Sequence, residues 1–564
     1  MRSRAVALFG AVAVAAVGGM LSAIPSAATP PTASTTAPPG TAAAPTTSTA
    51  AAPGTDALNW KDCPTKSYPT LQCASLKVPL DHRRPAAAQG RQITLALSRV
   101  PHTDRAGFQG PLLVNPGGPG GSGRTLAGFV AGALPKEIAA QYDVIGFDPR
   151  GVGASEPALD CSPGHFDPVR PDPLAATAAL ERANVDRARA FATACGEKYG
   201  DLLRHLGTVS AAEDIEVIRR ALGAERINYF GYSYGTYLGA VYAKLHPDRV
   251  RRAVLDSVVD PTGVWYRDNL DQNLAFDARH KAFTAWVARH DSTYGLGTDP
   301  AAVEAEWYAM RATLAQHPAG GKVGAGELED TFIPGGYFNG YWPDLAEAFA
   351  AYTHDRDTAP LLDAHKKLGA VDADGDNGYS MYAAVQCRDA NWPRSWATWR
   401  ADTWKTHAKA PFMAWNNAWY NAPCAFWPTT QLDPPDVTNR ELPPVLLFQA
   451  TEDAATPYEG AAVLHRKLRG SSLVVERGGG NHGVTLSGNA CLDRHLTTYL
   501  ATGEVPRGTG QGAPDATCAA LPDPEPDPEP EPKSQPRSRT SADGNSNSNS
   551  NSGTTLHGLI GRHR

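Results

Sequence analysis

A serine in a glycine-flanked turn is the most specific chemical signal in the chain. Residues 231–235 read G-Y-S-Y-G; the strand-like run I-N-Y-F precedes them and the helix-like run T-Y-L-G-A-V-Y follows. A serine at a tight turn from strand to helix has a strained backbone, and small neighbours leave its hydroxyl exposed to a base. G-x-S-x-G alone is common by chance, so the correct flanks on both sides are what predict a nucleophile at Ser233.

A serine hydroxyl needs a base to take its proton and an acid to orient that base. Asp453 follows the apolar run V-L-L-F-Q-A, and His482 lies in a glycine-rich loop after the run S-L-V-V-E. The chain order serine, aspartate, histidine is typical of a nucleophile on a strand-to-helix turn. We therefore predict Ser233, Asp453 and His482 as the catalytic residues. The alternatives are His495, in a helix-like segment, and Asp256, at the end of the next strand-like run.

Two backbone N–H groups are expected to bind the oxyanion that forms during acyl transfer. One is that of Tyr234, at the start of the helix after the nucleophile. The other is that of Gly118, in the run N-P-G-G-P-G-G-S-G at residues 115–123. A phosphate-binding loop is the competing interpretation of this run. It lacks the G-K-S/T ending, and its two prolines have no N–H to donate, so nucleotide binding is disfavoured.

Short β-branched runs alternate with longer helical patterns, which predicts an α/β fold with a mostly parallel sheet. The predicted strands are Gln92–Leu97, Pro111–Val114, Tyr142–Gly146, Ile227–Gly231, Val250–Leu255, Pro444–Gln449 and Ser472–Glu476. Residues 262–438 interrupt this pattern, are helical in character and contain every tryptophan except Trp60. We expect a core of residues 58–261 and 439–520, with 262–438 inserted as a helical lid over the site.

The two ends of the chain have no core-forming pattern. Residues 1–28 have a basic start, an apolar stretch and small residues suited to signal-peptidase cleavage, which together predict a signal peptide and hence secretion. A transmembrane anchor is the alternative interpretation of the apolar stretch. Residues 29–57 are rich in Pro, Thr and Ala and are predicted to be a disordered linker or pro-segment. Residues 521–564 are predicted to be a disordered tail.

Eight cysteines in an exported chain are expected to form disulfides. Many connectivities are possible, and sequential pairing is the simplest: Cys63–Cys73, Cys161–Cys195, Cys387–Cys424 and Cys491–Cys518. None of them has the C-x-x-C spacing of a zinc or redox site, so no metal is expected.

Charge excludes several classes of partner. The 564 residues contain 52 Lys and Arg against 58 Asp and Glu, with no long basic run. Nucleic acids and anionic membrane surfaces are therefore not expected as partners. No cofactor is required for the predicted chemistry, and we expect a monomer.

Several motifs together resemble one known family. The runs F-D-P-R-G-V-G-A-S, F-G-Y-S-Y-G-T-Y-L-G-A-V-Y-A and N-P-G-G-P-G-G-S-G, with the C-terminal segment from residue 443 to 491, look like the secreted tripeptidyl aminopeptidases of actinobacteria. These are relatives of prolyl aminopeptidase in the α/β-hydrolase superfamily, and the resemblance covers about residues 58–520. It implies a serine exopeptidase that releases tripeptides, or similar short peptides, from free N-termini, with Ser233, Asp453 and His482 as its triad.

The resemblance also implies a group that recognises the substrate ammonium, because acidic residues of the lid do this in relatives. The lid carboxylates considered are Glu327, Glu329, Asp330, Asp344, Glu347 and Asp389, and we favour Asp389, beside Cys387, and then Glu347. A carboxylesterase or lipase-like hydrolase with the same triad is the rival activity, because fold and triad do not fix the scissile bond. A non-catalytic binding protein is the rival from another class.

Overall fold

The computed structural model of this protein describes residues 58–83, 90–508, 513–526 and 556–557. The predicted signal peptide and linker, residues 1–28 and 29–57, lie outside these ranges.

The described residues form a sheet of ten strands. In chain order the strands are β1 (Lys61–Asp62), β2 (Gln72–Pro79), β3 (Gln92–Val100), β4 (Pro111–Asn115), β5 (Asp143–Phe147), β6 (Ile227–Tyr232), β7 (Val250–Asp256), β8 (Val445–Ala450), β9 (Ser472–Arg477) and β10 (Ala516–Ala519). Their spatial order is β1-β2-β3-β5-β4-β6-β7-β8-β9-β10. The pairs from β1 to β5 are antiparallel, and all pairs from β5 to β10 are parallel. The predicted α/β-hydrolase fold class is confirmed.

Apolar runs found seven of these strands, β3 to β9. The central strands β4, β6 and β8 are buried along their whole length, which explains why they are continuous apolar runs. β2 is not among the predicted strands, although Ala74, Leu76 and Val78 are buried and alternate with the exposed Ser75 and Lys77. This alternation of buried and exposed residues, with a period of two, is the sequence pattern that indicates a strand here.

Helices cover both faces of the sheet and form the lid. In the first half of the core they are α1 (Arg124–Ala133), α2 (Lys136–Ala139), α3 (Ala178–Tyr199), α4 (Thr208–Ala221) and α5 (Tyr234–Leu245). Between β7 and β8 they are α6 (Tyr266–Arg289), α7 (Asp291–Tyr294), α8 (Pro300–Gln316), α9 (Ala325–Phe332), α10 (Pro334–Tyr337), α11 (Trp342–Asp355), α12 (Ala359–Ala364), α13 (Ala373–Asp389), α14 (Trp396–His407), α15 (Ala414–Asn421) and α16 (Pro423–Phe426). The last two are α17 (Tyr458–Lys467) and α18 (Ala490–Thr502).

Alternating strand residues separate the core into two layers. Leu113 of β4 packs in the cluster that includes α4 and α5, whereas its neighbours Leu112 and Val114 pack in the cluster that includes α1 and α18. The helices between β7 and β8 bury a further cluster of their own, in which Trp286, Trp307 and Trp342 are the largest side chains. The tryptophans of this segment therefore include core residues of the lid.

All eight cysteines are paired. The disulfides are Cys63–Cys73, Cys161–Cys195, Cys387–Cys424 and Cys491–Cys518, so the sequential pairing is confirmed. Within the described ranges, no helix is long and apolar enough to cross a membrane.

Part of the C-terminal tail is ordered. Asp523 accepts hydrogen bonds from Arg289 (2.9 Å) and Asn339 (3.1 Å), and the carbonyl of Pro524 accepts one from the Trp286 indole (2.9 Å). Residues 521–526 belong to the tail that is predicted to be disordered, and they contact these lid side chains. Residues 556–557 of the same tail are buried. The remainder of that prediction lies outside the described residues.

Candidate active site

Ser233 occupies the turn between β6 and α5 with a left-handed backbone, φ 56°. Such a conformation is strained for a non-glycine residue and persists only where the surroundings hold it. Its N–H donates to the carbonyl of Asp256 at 3.0 Å. Gly231 and Gly235 flank the turn, and a Cβ at Gly235 would lie 2.9 Å from the Asn115 carbonyl. The small flanking residues are therefore required by the packing around the serine.

Asp453 and His482 form a buried pair, 2% and 1% exposed. Asp453 follows β8 and His482 follows β9, so adjacent parallel strands bring them to one edge of the sheet. His482 Nδ1 lies 3.0 and 2.9 Å from the two carboxylate oxygens of Asp453. The predicted aspartate and histidine are therefore in direct contact.

The other contacts of Asp453 fix the carboxylate. Its Oδ1 accepts from the backbone N–H groups of Ala455 (2.9 Å) and Thr456 (3.0 Å), and its Oδ2 accepts from the Thr456 hydroxyl (2.9 Å). An anionic carboxylate so placed favours the His482 tautomer with its proton on Nδ1. The lone pair of Nε2 is then free to accept a proton.

His482 Nε2 is buried and has no hydrogen-bond partner among the described residues. Ser233 is thus not hydrogen-bonded to the imidazole in this structure, a common state of catalytic groups without substrate. Asp256 links the two segments. Its carbonyl accepts from Ser233, and its carboxylate accepts from Val484 (3.1 Å) and Thr485 (2.8 Å), just after His482. The arrangement can support nucleophilic attack with His482 as general base.

The glycine-rich loop after β4 lies directly against the serine turn. A Cβ at Gly117 would lie 2.7 Å from the Tyr232 carbonyl and 2.8 Å from Ser233 Cβ, so only glycine fits there. Gly118, with φ +109°, lines the same cavity as Ser233 and Tyr234. The Tyr234 N–H lies at the first residue of α5, where backbone N–H groups lack helical partners. These placements are compatible with the predicted oxyanion donors.

A cavity of about 540 Å³ opens at Ser233 beneath the lid. Its aromatic walls include Trp265, Tyr337, Tyr382 and Tyr420. Both its volume and its aromatic lining are typical of a small-ligand site. Tyr337 also fixes the base, because its carbonyl accepts from the His482 N–H at 2.8 Å and its ring packs edge-on against the imidazole. The sequence around Tyr337 had no signal that could have revealed this contact.

The structure does not bring the predicted amine-binding residues into this cavity. Asp389 is buried, and its carboxylate accepts hydrogen bonds from the N–H and hydroxyl of Thr208, the first residue of α4. A carboxylate at a helix N-terminus is stabilised there, which is a structural role. Burial raises the pKa of Asp389 to about 6. Glu347 is exposed on α11.

The other lid carboxylates are also elsewhere. Glu327 pairs with Arg170 (2.9 Å), Asp330 pairs with the same guanidinium, and Glu329 pairs with Arg311 (2.6 Å). Asp344 is exposed. None of the predicted acidic residues lines the cavity. The carboxylates that do so are Asp260, Asp268, Asp271 and Glu459, none of which is among the residues predicted from the sequence.

The two alternative triad residues, His495 and Asp256, make contacts of a structural kind. His495 lies on α18, close to Cys491 of the same helix and to Cys518 of β10, and the three have ligand atoms within 4.8 Å of one another. Since the two sulfurs are joined in a disulfide, they offer no thiolate to a metal. Asp256 is fully engaged by Ser257, Val484 and Thr485, and burial raises its pKa to about 6.

Comparison with known proteins finds relatives of this chain. Residues 410–518, which contain Asp453 and His482, match the family model described as TAP-like protein. The chain is 44% identical over 481 residues to the tripeptidyl aminopeptidase of Streptomyces coelicolor, covering 83% of this chain and 87% of that protein.

Two mycobacterial proteins are more distant relatives. Serine protease Hip1 of Mycobacterium tuberculosis is 32% identical and is covered over 86% of its length, with 77% of this chain. Carboxylesterase B of the same organism is 32% identical, with 79% of this chain and 88% of that protein covered. This chain is an enzyme of the serine hydrolase type and belongs to the tripeptidyl aminopeptidase family of the α/β-hydrolases.

Proposed function

We propose that this protein is a secreted serine exopeptidase that releases tripeptides from the free N-termini of peptides. The observation that carries the proposal is the buried Asp453–His482 pair, whose free Nε2 lies on the loop held beside the strained Ser233. The 44% identity to a tripeptidyl aminopeptidase over most of both chains supports a peptide substrate.

The reaction begins with attack of Ser233 Oγ on the carbonyl of the scissile peptide bond. His482 Nε2 takes the serine proton, and Asp453 stabilises the resulting imidazolium through Nδ1–H. The Tyr234 and Gly118 N–H groups bind the oxyanion of the tetrahedral intermediate. His482 then gives its proton to the leaving amine, and the C–N bond breaks.

The second half returns the enzyme to its starting state. Water replaces the departed peptide and attacks the acyl ester of Ser233, with His482 Nε2 again taking a proton. The acid product is a short peptide with a free carboxylate, and the serine regains its hydrogen. None of these steps uses a metal or a cofactor.

The cavity suits a short peptide. Three extended residues span about 10 Å, and a space of some hundreds of Å³ can enclose them. The walls are aromatic, which suits packing against side chains of various shapes.

Secretion as a monomer completes the proposal. Four disulfides suit an oxidising compartment outside the cytosol. Neither a membrane nor a nucleic acid is expected as a partner, because the charge is balanced at 52 basic and 58 acidic residues.

The test compares three chromogenic substrates. They are a tripeptide p-nitroanilide with a free amine, its N-acetylated form, and p-nitrophenyl acetate. The proposal predicts that kcat/KM for the free-amine anilide exceeds that for the acetylated one by at least about 100-fold. Equal cleavage of the two anilides, or turnover of the ester alone, would favour the carboxylesterase activity of the relative in Mycobacterium tuberculosis.

A fluorophosphonate probe tests the nucleophile in the same samples. We expect one label per chain in the wild type and none in S233A. Labelling that survives in S233A would place the nucleophile elsewhere, and no labelling of the wild type would indicate a non-catalytic protein.

A further inference from the structure

One face of the lid helix α6 contacts both loops that carry the catalytic acid and the catalytic base. We call residues 451–457, between β8 and α17, the acid loop, and residues 478–489, between β9 and α18, the base loop. Gln272, Phe276 and Arg279 are four and three positions apart in the sequence, so they lie on one side of α6. This side of the helix is the one that reaches the two loops.

The first two of these side chains contact one loop each. The Gln272 amide donates to the carbonyl of Ala455, in the acid loop, at 2.6 Å. The Phe276 ring packs against the ring of Tyr337, with centroids 5.1 Å apart, and Tyr337 packs in turn against the imidazole of His482. The helix therefore contacts the acid loop directly and the base through one aromatic ring.

Arg279 contacts both loops at once. Its Nη1 donates to the carboxylate of Glu452 at 3.4 Å, and Glu452 immediately precedes the catalytic aspartate. On the base loop, a Cβ at Gly480 would lie 2.5 Å from Arg279 Nε and closer still to Cζ and Nη1. The Glu452 N–H also donates to the Gly479 carbonyl at 2.8 Å, which joins the two loops at the same place. The guanidinium therefore lies across the junction of the acid loop and the base loop.

The burial of this guanidinium is costly. The Arg279 side chain is 6% exposed, its Cζ lies 5.0 Å from the centroid of the Trp342 ring, and its Nε has no hydrogen-bond partner in the part of the chain that the structure describes. A buried N–H without an acceptor costs free energy and calls for an explanation. Burial lowers the pKa of Arg279, and the charges of Glu452, Asp523 and Asp453 oppose this. One of the charges that favour the cation is therefore that of the catalytic acid.

We propose that Arg279 is a positioning residue of the reaction, a planar cation that fixes the acid loop against the base loop beside the negative charge of Asp453. A positive charge near a carboxylate favours its anionic form, and the anionic form orients the base. Neither Arg279 nor Gly480 lines the cavity at Ser233, so the residue acts through the triad and not on the substrate. The inference rests on the proposed function only through that triad, and it applies equally to cleavage of an ester.

The first experiment compares R279A with wild type. The matched control is R289A, the same substitution on the same helix, because the Arg289 side chain is 56% exposed and binds Asp523 instead of the loops. In R279A we expect kcat on the tripeptide anilide and the rate of fluorophosphonate labelling to fall about 10²-fold, the size of effect that a displacement of about 1 Å produces. KM should change by less than about twofold, because the cavity is intact, and R289A should stay within about twofold in every measurement.

Added guanidinium tests whether the planar cation itself is needed. We expect millimolar guanidinium chloride to raise kcat of R279A at least about tenfold, because the ion matches the missing group in both shape and charge. Urea has the same planar shape without the charge and should not raise kcat. This comparison is made within one variant, so it remains informative if R279A is less stable than wild type in thermal unfolding.

Alanine at position 480 tests the contact with the base loop. Gly480 does not have a positive φ, so alanine meets no backbone penalty there, but its Cβ would take the space of the guanidinium. We therefore expect G480A to displace Arg279 and to lower kcat as R279A does. In R279A/G480A that overlap is absent, and kcat should equal the kcat of R279A within about twofold.

The outcomes separate this inference from the proposed function. Wild-type kcat and labelling in R279A, an equal loss in R289A, recovery with urea as large as with guanidinium, or additive losses in the double variant would each overturn the role of Arg279, although the aminopeptidase proposal would stand. A wild type that is labelled but does not prefer the free amine contradicts the proposed function alone, since the role of Arg279 is then measured on the ester. A wild type that is not labelled contradicts both.

Discussion

Asp256 binds Thr485 through both the backbone N–H, at 2.8 Å, and the hydroxyl of that residue. Because Thr485 lies three residues after His482, the carboxylate at the end of β7 anchors the loop that carries the imidazole. Asp453 contacts the imidazole itself. Two buried aspartates near one histidine thus have different tasks, and substitution can tell them apart.

We expect D453N to lower kcat by about 10⁴-fold with little change in the unfolding midpoint, because the amide favours the wrong tautomer of His482. D256N should lower kcat far less and should reduce thermal stability. Steady-state kinetics and thermal unfolding of both variants check this. The reverse pattern would make Asp256 the catalytic acid.

Stability should depend on pH through Asp256. Its pKa is about 6 in the folded protein and near 3.8 unfolded, so the folded state binds the proton more tightly. The advantage of the folded state from this proton is full below about pH 4 and is lost as pH rises through about 6, and it amounts to about 3 kcal/mol. Denaturant unfolding of wild type and D256N between pH 4 and 7 measures it. A difference between the two proteins that is constant over that range would contradict the burial effect.

Gly118→Ala should slow the chemical step. A Cβ there would lie 2.8 Å from the Gly120 nitrogen, and the backbone φ of +109° is unfavourable for alanine. Displacing the oxyanion donor that we propose at Gly118 is expected to lower kcat by about 10²–10³-fold while KM changes little. Kinetics on the tripeptide anilide test this, with G132A as control because Gly132 has open space around it. Equal effects of the two substitutions would remove Gly118 from the oxyanion site.

The Cys387–Cys424 disulfide should stabilise the lid. It closes a separation of 37 residues and joins α13 to α16. Replacing both cysteines by alanine should lower the free energy of unfolding by about 3–4 kcal/mol, since the unfolded chain regains that loop entropy. Chemical denaturation measures the change. An unchanged midpoint would mean that the loop is restrained equally well without the bond.

Local sequence patterns were sufficient for the core of the fold and for the triad candidates. The buried central strands are apolar runs, and the turn at Ser233 has a fixed pattern of small residues on both flanks. Sequential pairing is the simplest of many possible connectivities of the eight cysteines, and the four disulfides follow it. In each case the residues that form the pattern lie within a few tens of positions of one another in the chain.

The residues that line the cavity at Ser233 could not be predicted from such local patterns. The position of Asp389 beside Cys387 predicts a rigidly held carboxylate, but it does not predict the direction of the side chain. The carboxylate of Asp389 accepts a hydrogen bond from the first residue of α4. Asp268 lies in the first turn of α6 and lines the cavity, a placement that its local sequence pattern does not predict. His557 reaches Phe338 across 219 positions of the chain, and a short basic C-terminal run does not encode such a contact.

Mass spectrometry of the products from an unblocked peptide of about 15 residues tests the central claim most directly. The account predicts that wild type releases the N-terminal tripeptide first and then successive tripeptides, that N-acetylation of the same peptide stops release, and that S233A releases nothing. Internal cleavage, fragments of another constant length, or release unaffected by acetylation would contradict it.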